Sequence, residues 1–117
     1  METATLKTEP RTETGSRAAR KLRQAGWIPA LLLGGGEETV LFSIPARDFE
    51  TALRHRIGSF ELEIGGATHR AVMREVQWDR MGDEVQHVDF LRDPDGSLAR
   101  RIETELEEAA AAAAAAK

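Results

Sequence analysis

The alternation of hydrophobic and polar positions along the chain predicts several short β-strands. Across residues 60–64, three apolar side chains alternate with two glutamates, which is typical of a strand with one buried face. Residues 30–33 form a short apolar run between a proline and a glycine, which favours a buried strand. The pattern predicts an extended arm or edge strand near residues 2–8, and strands at 30–33, 39–44, 60–64, 68–77 and 85–90.

Three segments have helical character. The first runs from Ser16, the expected N-cap, to about residue 25, and Gly26 takes the position of a left-handed residue after the helix. The second follows Pro45 and covers residues 46–55. The third starts at Ser97, an expected cap, and continues into a terminal run of eight alanines.

Five or six short strands with two helices predict a small mixed sheet or a barrel, an α+β fold that is mainly β. The length of 117 residues suits one such domain. We expect residues 1–92 to form it and residues 93–117 to form an acidic, alanine-rich helix or tail.

Composition excludes several classes of site. The chain has no cysteine, which rules out disulfides, thiolate metal sites and a cysteine nucleophile. The three histidines fall in unrelated segments without metal-ligand spacing, so neither a metal nor a cofactor is expected. No apolar run approaches the roughly 20 residues that span a bilayer, and the N-terminus lacks the apolar region of a secretory signal. A cytoplasmic protein without a membrane partner is expected.

Charge is distributed unevenly along the chain. The formal net charge is −4, yet residues 7–27 carry six cations against two glutamates. A positive patch on an acidic protein indicates an anionic partner at one defined place. Our hypothesis from this pattern is that the partner is a folded RNA, although a basic helix can also be a solvated surface without a ligand.

The first helix has two distinct faces. Ala18, Leu22 and Ala25 share one side and are expected to dock on the core. The opposite side forms a basic ridge, in which arginine forks and lysine charges match phosphate oxygens. The members of this ridge and its flank are Arg17, Arg20, Lys21, Arg23 and Gln24, with Ser16 at the helix N-terminus.

A second candidate set lies on the last predicted strands. His87 and Asp89 alternate on one face of the strand, together with Val85, while Gln86 is expected on the other face. Gln77 on the preceding strand could lie nearby. An amide, an imidazole and a carboxylate can read base edges and 2′-hydroxyls. In the plainer interpretation, Asp89 only orients His87 or pairs with an arginine.

Catalysis by this set is not expected. A histidine–aspartate pair can act as an acid–base couple, but the chain offers no nucleophile in a suitable motif. We therefore predict that the protein is not an enzyme.

Trp27 and Trp78 could stack on bases, with Trp78 the better candidate, although core packing is expected for both.

The motifs also resemble those of a known family. Five motifs stand in the same order and at matching separations as in that family. They are Arg11, Gly15 to Ala30 with its basic helix and Ile-Pro-Ala ending, Gly34-Gly-Gly, Val76-Gln77 and Gln86-His-Val-Asp-Phe90. Over about residues 4–92 the sequence is similar to bacterial large-subunit ribosomal protein twenty-five, the family that binds 5S rRNA. Its stress-induced relatives are called general stress protein Ctc.

The resemblance implies a β-barrel with flanking helices, here six-stranded with a C-terminal helical tail, in a structural constituent of the large ribosomal subunit. It implies 5S rRNA as the partner, with neighbouring ribosomal proteins as further partners. The positions that match the contact motifs of the family are Arg11, Arg20, Lys21, Arg23, Gln77, His87 and Asp89. An alternative is a stress-related protein-interaction module that uses the acidic helix 97–108.

Overall fold

The computed structural model describes residues 3–11 and 15–115. It contains seven strands and three helices in these ranges. The elements, in chain order, are β1 (Thr3–Lys7), β2 (Glu9–Pro10), α1 (Ser16–Gln24), β3 (Trp27–Leu33), β4 (Val40–Pro45), α2 (Ala46–Arg54), β5 (Ser59–Ile64), β6 (Ala67–Trp78), β7 (Val85–Arg92) and α3 (Ser97–Ala115).

All seven strands belong to one sheet in the order β1-β5-β6-β7-β3-β4-β2. The β1–β5 and β3–β7 pairs are parallel, and the other neighbours are antiparallel. The two edge strands, β1 and β2, are separated in the chain by Thr8 alone, so the sheet curls into a half-barrel. The predicted α+β, mainly β class is confirmed.

The strand count is seven, where six were predicted, because the first extended segment divides. The backbone N–H and the hydroxyl of Thr8 both donate to the carbonyl of Glu63, at 3.2 and 2.5 Å, which ends the pairing of β1 with β5. Glu9 and Pro10 then pair with Ser43 and Phe42 of β4 at the other edge. The sequence pattern shows one segment, whereas the pairing shows two.

The core lies inside the curl of the sheet and is covered by α2. Its centre is a cluster of Phe42, Phe49, Phe60 and Phe90, all fully buried. Phe49 projects from α2, and its ring centroid lies 5.8 Å from that of Phe60 and 6.2 Å from that of Phe90. Offset and edge-to-face ring contacts of this kind add about 0.5–1.5 kcal/mol each to the free energy gained by burial.

Strand β3 starts earlier than predicted. It begins at Trp27 and runs through Pro29, which was expected to lie before the strand. Pro29 pairs with Ser43 of β4, while pairing with β7 starts only at Ala30. The missing proline N–H is therefore tolerated, because β3 has one strand neighbour at that point.

Two predicted helix caps are wrong. Ser16 is the first helical residue of α1, and Gly15, with φ of 101°, takes the N-cap position without a side-chain hydrogen bond. The start of α3 is capped by Asp93, which is buried, instead of by Ser97. The two carboxylate oxygens of Asp93 accept the N–H groups of Leu98 and Ala99 at 2.9 and 3.0 Å. Gly26 does adopt a left-handed conformation after α1, as predicted.

The loop between β3 and β4 is held by one arginine from the end of β7. The Arg92 guanidinium donates to the carbonyls of Gly34 and Glu38, each at 2.6 Å, and its Nε lies 3.1 Å from a carboxylate oxygen of Glu37. The Arg92 side chain is 8% exposed. A buried charge is tolerated here because carbonyl and carboxylate oxygens surround it.

Across the described part of the chain, none of the helices combines the length and the apolar character that a membrane crossing requires.

Candidate nucleic-acid interface

Helix α1 packs beside β3, and none of its described residues belongs to the core cluster inside the curl of the sheet. Ala18, Ala19 and Leu22 are half-buried, which agrees with the predicted docking side. Ala25 was placed on the same side but is exposed, because the helix ends at Gln24 and the chain turns there. The exposed side of α1 presents Ser16, Arg17, Arg20, Lys21 and Gln24.

Arg23 takes a different position from the other cations of α1. It is half-buried, and its Nη1 donates to the backbone carbonyl of Gln86 on β7 at 3.3 Å. This bond connects the cationic helix directly to the strand that carries His87 and Asp89. The two candidate sets, which the sequence places more than 50 residues apart, therefore lie side by side.

A β-bulge in β7 changes which residues face outward. Gln77 pairs with His87, but its neighbour Trp78 pairs with Val85, so Gln86 is the extra residue. As a result Val85 is buried in the core and Gln86 is only half-buried. The predicted faces of Val85 and Gln86 are wrong for this reason, since simple alternation holds only on a strand without an insertion.

The bulge opens a shallow depression between α1 and β7. Its lining consists of Arg20, Arg23, Gln24, Glu84 and Gln86. Glu84 and Gln86 were not predicted as part of a site, because the register shift that places them there leaves no signal in the hydrophobic periodicity. The lining has two arginines and two amides against the one carboxylate of Glu84, so its net charge is positive, and its donors can bond the oxygens of an anion.

His87 and Asp89 point to the same side of β7, as predicted. His87 Nδ1 lies 3.2 Å from Asp89 Oδ1, and the side chains are 25% and 13% exposed. Gln77 stands opposite His87 on β6, which confirms the expected proximity. Glu75 stands opposite Asp89 and was not identified from the sequence.

Partial burial lowers the pKa of His87 below its ordinary value of 6.5. Asp89 and Glu75 act in the opposite direction, and the positive charges of Arg11 and Arg23 lower the pKa further. His87 is therefore neutral at pH 7, with one ring nitrogen as a donor and the other as an acceptor. A neutral imidazole of this kind can distinguish base edges by hydrogen bonding.

Arg11 is close enough to His87 to affect its pKa, although it is far away in the sequence. Its backbone N–H donates to the carbonyl of Leu41 at 3.4 Å, which places Arg11 directly after the β2–β4 pair. Burial lowers the pKa of the Arg11 guanidinium, but the group remains charged at neutral pH.

We refer to the surface formed by these groups as the α1–β7 face. Its proposed contact residues are Arg11, Arg20, Arg23, Gln77, Gln86, His87 and Asp89, and Gln24, Glu75 and Glu84 lie beside them. Of the other predicted binding residues, Ser16, Arg17 and Lys21 are exposed on α1 but are not among the residues that line the depression.

Within residues 3–11 and 15–115, no three or more histidine, aspartate or glutamate side chains are grouped so that they could hold a metal ion.

The geometry defines a small α+β protein whose outer sheet face pairs a cationic helix with a polar strand, an arrangement suited to a folded polyanion. The description "Ribosomal L25p family" belongs to the family model that matches residues 6–90. The chain belongs to this family, and the resemblance noted in the sequence is confirmed. The family is one of structural ribosomal proteins, so the prediction of a non-enzymatic protein is confirmed for the matched residues.

Individual relatives agree with the family match. Large ribosomal subunit protein bL25 of Bifidobacterium longum (strain DJO10A) is 40% identical over 89 residues, which cover 76% of this chain and 43% of that protein. The bL25 protein of Parvibaculum lavamentivorans is 38% identical over 96 residues, covering 78% and 44%. Protein bL25A of Symbiobacterium thermophilum is 39% identical over 94 residues, covering 76% and 46%. The chain thus spans less than half the length of these relatives.

Proposed function

We propose that this protein is a structural constituent of the large ribosomal subunit and that it binds 5S rRNA through the α1–β7 face. The observation that carries the proposal is the bond from Arg23 to the Gln86 carbonyl, which holds the cations of α1 beside the His87–Asp89 pair. The names of the relatives support the ribosomal assignment. The choice of 5S rRNA comes from the motifs that the chain shares with the family.

The two halves of the α1–β7 face have different tasks in this proposal. Arg11, Arg20 and Arg23 contact phosphates, with Ser16, Arg17 and Lys21 extending the positive surface along α1. Such contacts give affinity without sequence information. Gln77, His87 and Asp89 contact base edges or 2′-hydroxyls, which give specificity for one RNA.

The His87–Asp89 pair is partly accessible to a ligand. His87 Nδ1 and Asp89 Oδ1 lie 3.2 Å apart and are buried, so they face each other instead of the solvent. The side chains as a whole are 25% and 13% exposed. A base or a ribose hydroxyl contacts these exposed parts, while the contact between the two buried atoms keeps the side chains oriented.

The proposal also extends to the organisation of the chain. Residues 1–92 form the RNA-binding domain, in which β1 and β2 act as one interrupted strand and close a six-stranded barrel. Residues 93–117 form an acidic, alanine-rich appendage that starts at the Asp93 cap. The protein acts in the cytoplasm on the ribosome, with neighbouring ribosomal proteins as further contacts and no membrane partner.

Titration of the purified chain with a 5S rRNA transcript tests the proposal, with an unrelated RNA duplex as the comparison. We expect tighter binding of the 5S transcript. Neutralising roughly four or five phosphates gives a slope of about −3 to −4 in a plot of log K against log salt concentration. Equal affinity for both RNAs, or an affinity that does not change with salt, would contradict the proposal.

A further inference from the structure

Trp78 is an exposed aromatic side chain next to the α1–β7 face. It is the last residue of β6 and pairs with Val85, one register position beyond the Gln77–His87 pair. Its side chain is 51% exposed, so the expectation that it packs in the core is wrong. Trp27 is half-buried at the start of β3 and is not among the described residues that form the core or pack against it, so core packing was wrong for this residue as well. An indole that is half in water offers an aromatic face to a ligand.

The hairpin that carries Trp78 is fixed by its own hydrogen bonds. The Asp79 carboxylate accepts the N–H groups of Asp83 and Glu84 at 2.7 and 3.3 Å, and the Asp79 N–H donates to the Glu84 carbonyl at 2.9 Å. The Gly82 N–H donates to the Asp79 carbonyl at 3.0 Å. The turn is therefore ordered before any ligand arrives, which reduces the entropy that binding costs.

The hairpin carries three carboxylates and one arginine. Asp79 accepts two backbone donors but keeps its negative charge, and Glu84 lies in the depression with Arg20 and Arg23. Asp83 and Arg80 are exposed charges of opposite sign at the tip. The phosphate-binding charge is therefore on α1, and the contribution of the hairpin is its aromatic ring.

We propose that Trp78 is a stacking platform for an unpaired nucleobase of the RNA that the α1–β7 face binds. The inference rests on the proposed function and adds a recognition element to it. Gln77 and Trp78 are neighbours on β6, so their Cα atoms are about 3.8 Å apart, and an RNA held over Gln77 and His87 can continue past the end of the strand to the indole. Successive side chains of a strand point to opposite sides. The base that stacks on Trp78 therefore lies on a different side of the strand from the bases that Gln77 contacts.

A base suits this position better than an apolar protein side chain does. The α1–β7 face begins one residue away from Trp78 and carries arginines and amides, which match a polyanion that has aromatic rings. Stacking on an indole is tolerant of base identity, since every base has a π face. The platform thus selects for an unpaired base instead of for a particular sequence. A fully paired duplex offers no unpaired base that could stack on the indole.

Fluorescence of single-tryptophan variants tests this directly, because the chain has only two tryptophans. The Trp27→Phe variant reports on Trp78, and the Trp78→Phe variant is the matched control that reports on Trp27. With a 5S rRNA transcript, we expect the emission of the first variant to be strongly quenched and that of the second to change little. With a fully paired duplex RNA, we expect neither to be strongly quenched. Equal quenching by both RNAs would overturn the proposal.

Affinity measurements complete the test. Trp78→Ala should weaken binding of the 5S transcript about tenfold, while Trp78→Phe keeps most of the affinity. Met81→Ala is the control, since Met81 is 80% exposed on the same hairpin but has no aromatic face. If the unaltered chain does not bind the 5S transcript, the proposed function fails. If the unaltered chain binds the 5S transcript, the Trp78→Ala variant can be compared with it directly. Equal affinity of the two, together with unchanged Trp78 emission, would overturn only the stacking platform, and a protein contact would then be the better explanation of the exposed Trp78.

Discussion

Arg23 of α1 and Gln86 of β7 are joined by a hydrogen bond of 3.3 Å from the guanidinium Nη1 to the backbone carbonyl. The β-bulge at Gln86 makes that carbonyl available to α1. Arg23 therefore has a positioning role as well as a positive charge. It sets the distance between the cations of the helix and the polar groups of the strand, which is the basis of the α1–β7 face.

The exposed cations of α1 should act through phosphate contacts that do not depend on sequence. Arg20→Ala should weaken binding of every RNA and make the log–log salt slope less negative by roughly 0.7–0.9, as expected for one lost phosphate contact. Filter binding at several salt concentrations measures both effects. Arg54→Ala on α2 is the control and should leave affinity and slope unchanged. An unchanged slope in Arg20→Ala would show that Arg20 does not contact a phosphate.

The residues of β7 should act on specificity instead. His87→Ala or Asp89→Ala should weaken 5S rRNA binding by about tenfold, in the range of a lost base contact of about 1–3 kcal/mol. Binding of an unrelated duplex should change much less. His55→Ala, an exposed change at the end of α2, is the control. Equal losses on both RNAs would assign His87 and Asp89 a role in folding or general charge instead of in recognition.

The lowered pKa of His87 predicts a pH dependence of stability. Below about pH 6.5 the unfolded chain takes up a proton at this histidine, whereas the folded chain does so only at lower pH. The free energy of unfolding should therefore fall as the pH decreases through 6.5 towards the folded pKa. Urea denaturation between pH 7.5 and 5.5 measures this, and His87→Gln should show a smaller decrease. The same decrease in both proteins would exclude His87 as its source.

Arg92 should be a stability determinant that is independent of RNA binding. Arg92→Met keeps an unbranched apolar stem but removes the donors to the Gly34 and Glu38 carbonyls. Losing hydrogen bonds from a charged group should lower the free energy of unfolding by about 2 kcal/mol, which urea denaturation can measure. Glu37→Gln is the control, because Glu37 is 70% exposed and an exposed ion pair contributes little. If both changes had equally small effects, the loop would not depend on Arg92.

Most of the fold could be predicted from local patterns. The alternation in residues 60–64 and the glycines that follow identify the β5–β6 hairpin, and Pro45 marks the start of α2. The division of the first strand at Thr8 could not be predicted, because it depends on the distant Glu63 carbonyl. The Asp93 cap was missed because Ser97 has the more usual position for a cap at the start of α3.

The candidate site was predictable in its residue types but not in its geometry. The basic ridge of α1 and the His87–Asp89 alternation are properties of single elements, so periodicity indicates them. Their proximity depends on the parallel pairing of β3 with β7, which connects segments far apart in the chain. The exposure of Gln86 and Trp78 depends on the bulge, which alternation alone does not reveal.

The central claim is that the α1–β7 face is where this protein binds RNA. Amide chemical-shift mapping of the chain, free and with a 5S rRNA transcript at moderate salt, tests it most directly. We predict that the largest perturbations fall on residues 16–24, on Gln77 and on residues 85–89, with little change along α2. Perturbations concentrated on α2 or α3, with α1 and β7 unchanged, would contradict the account.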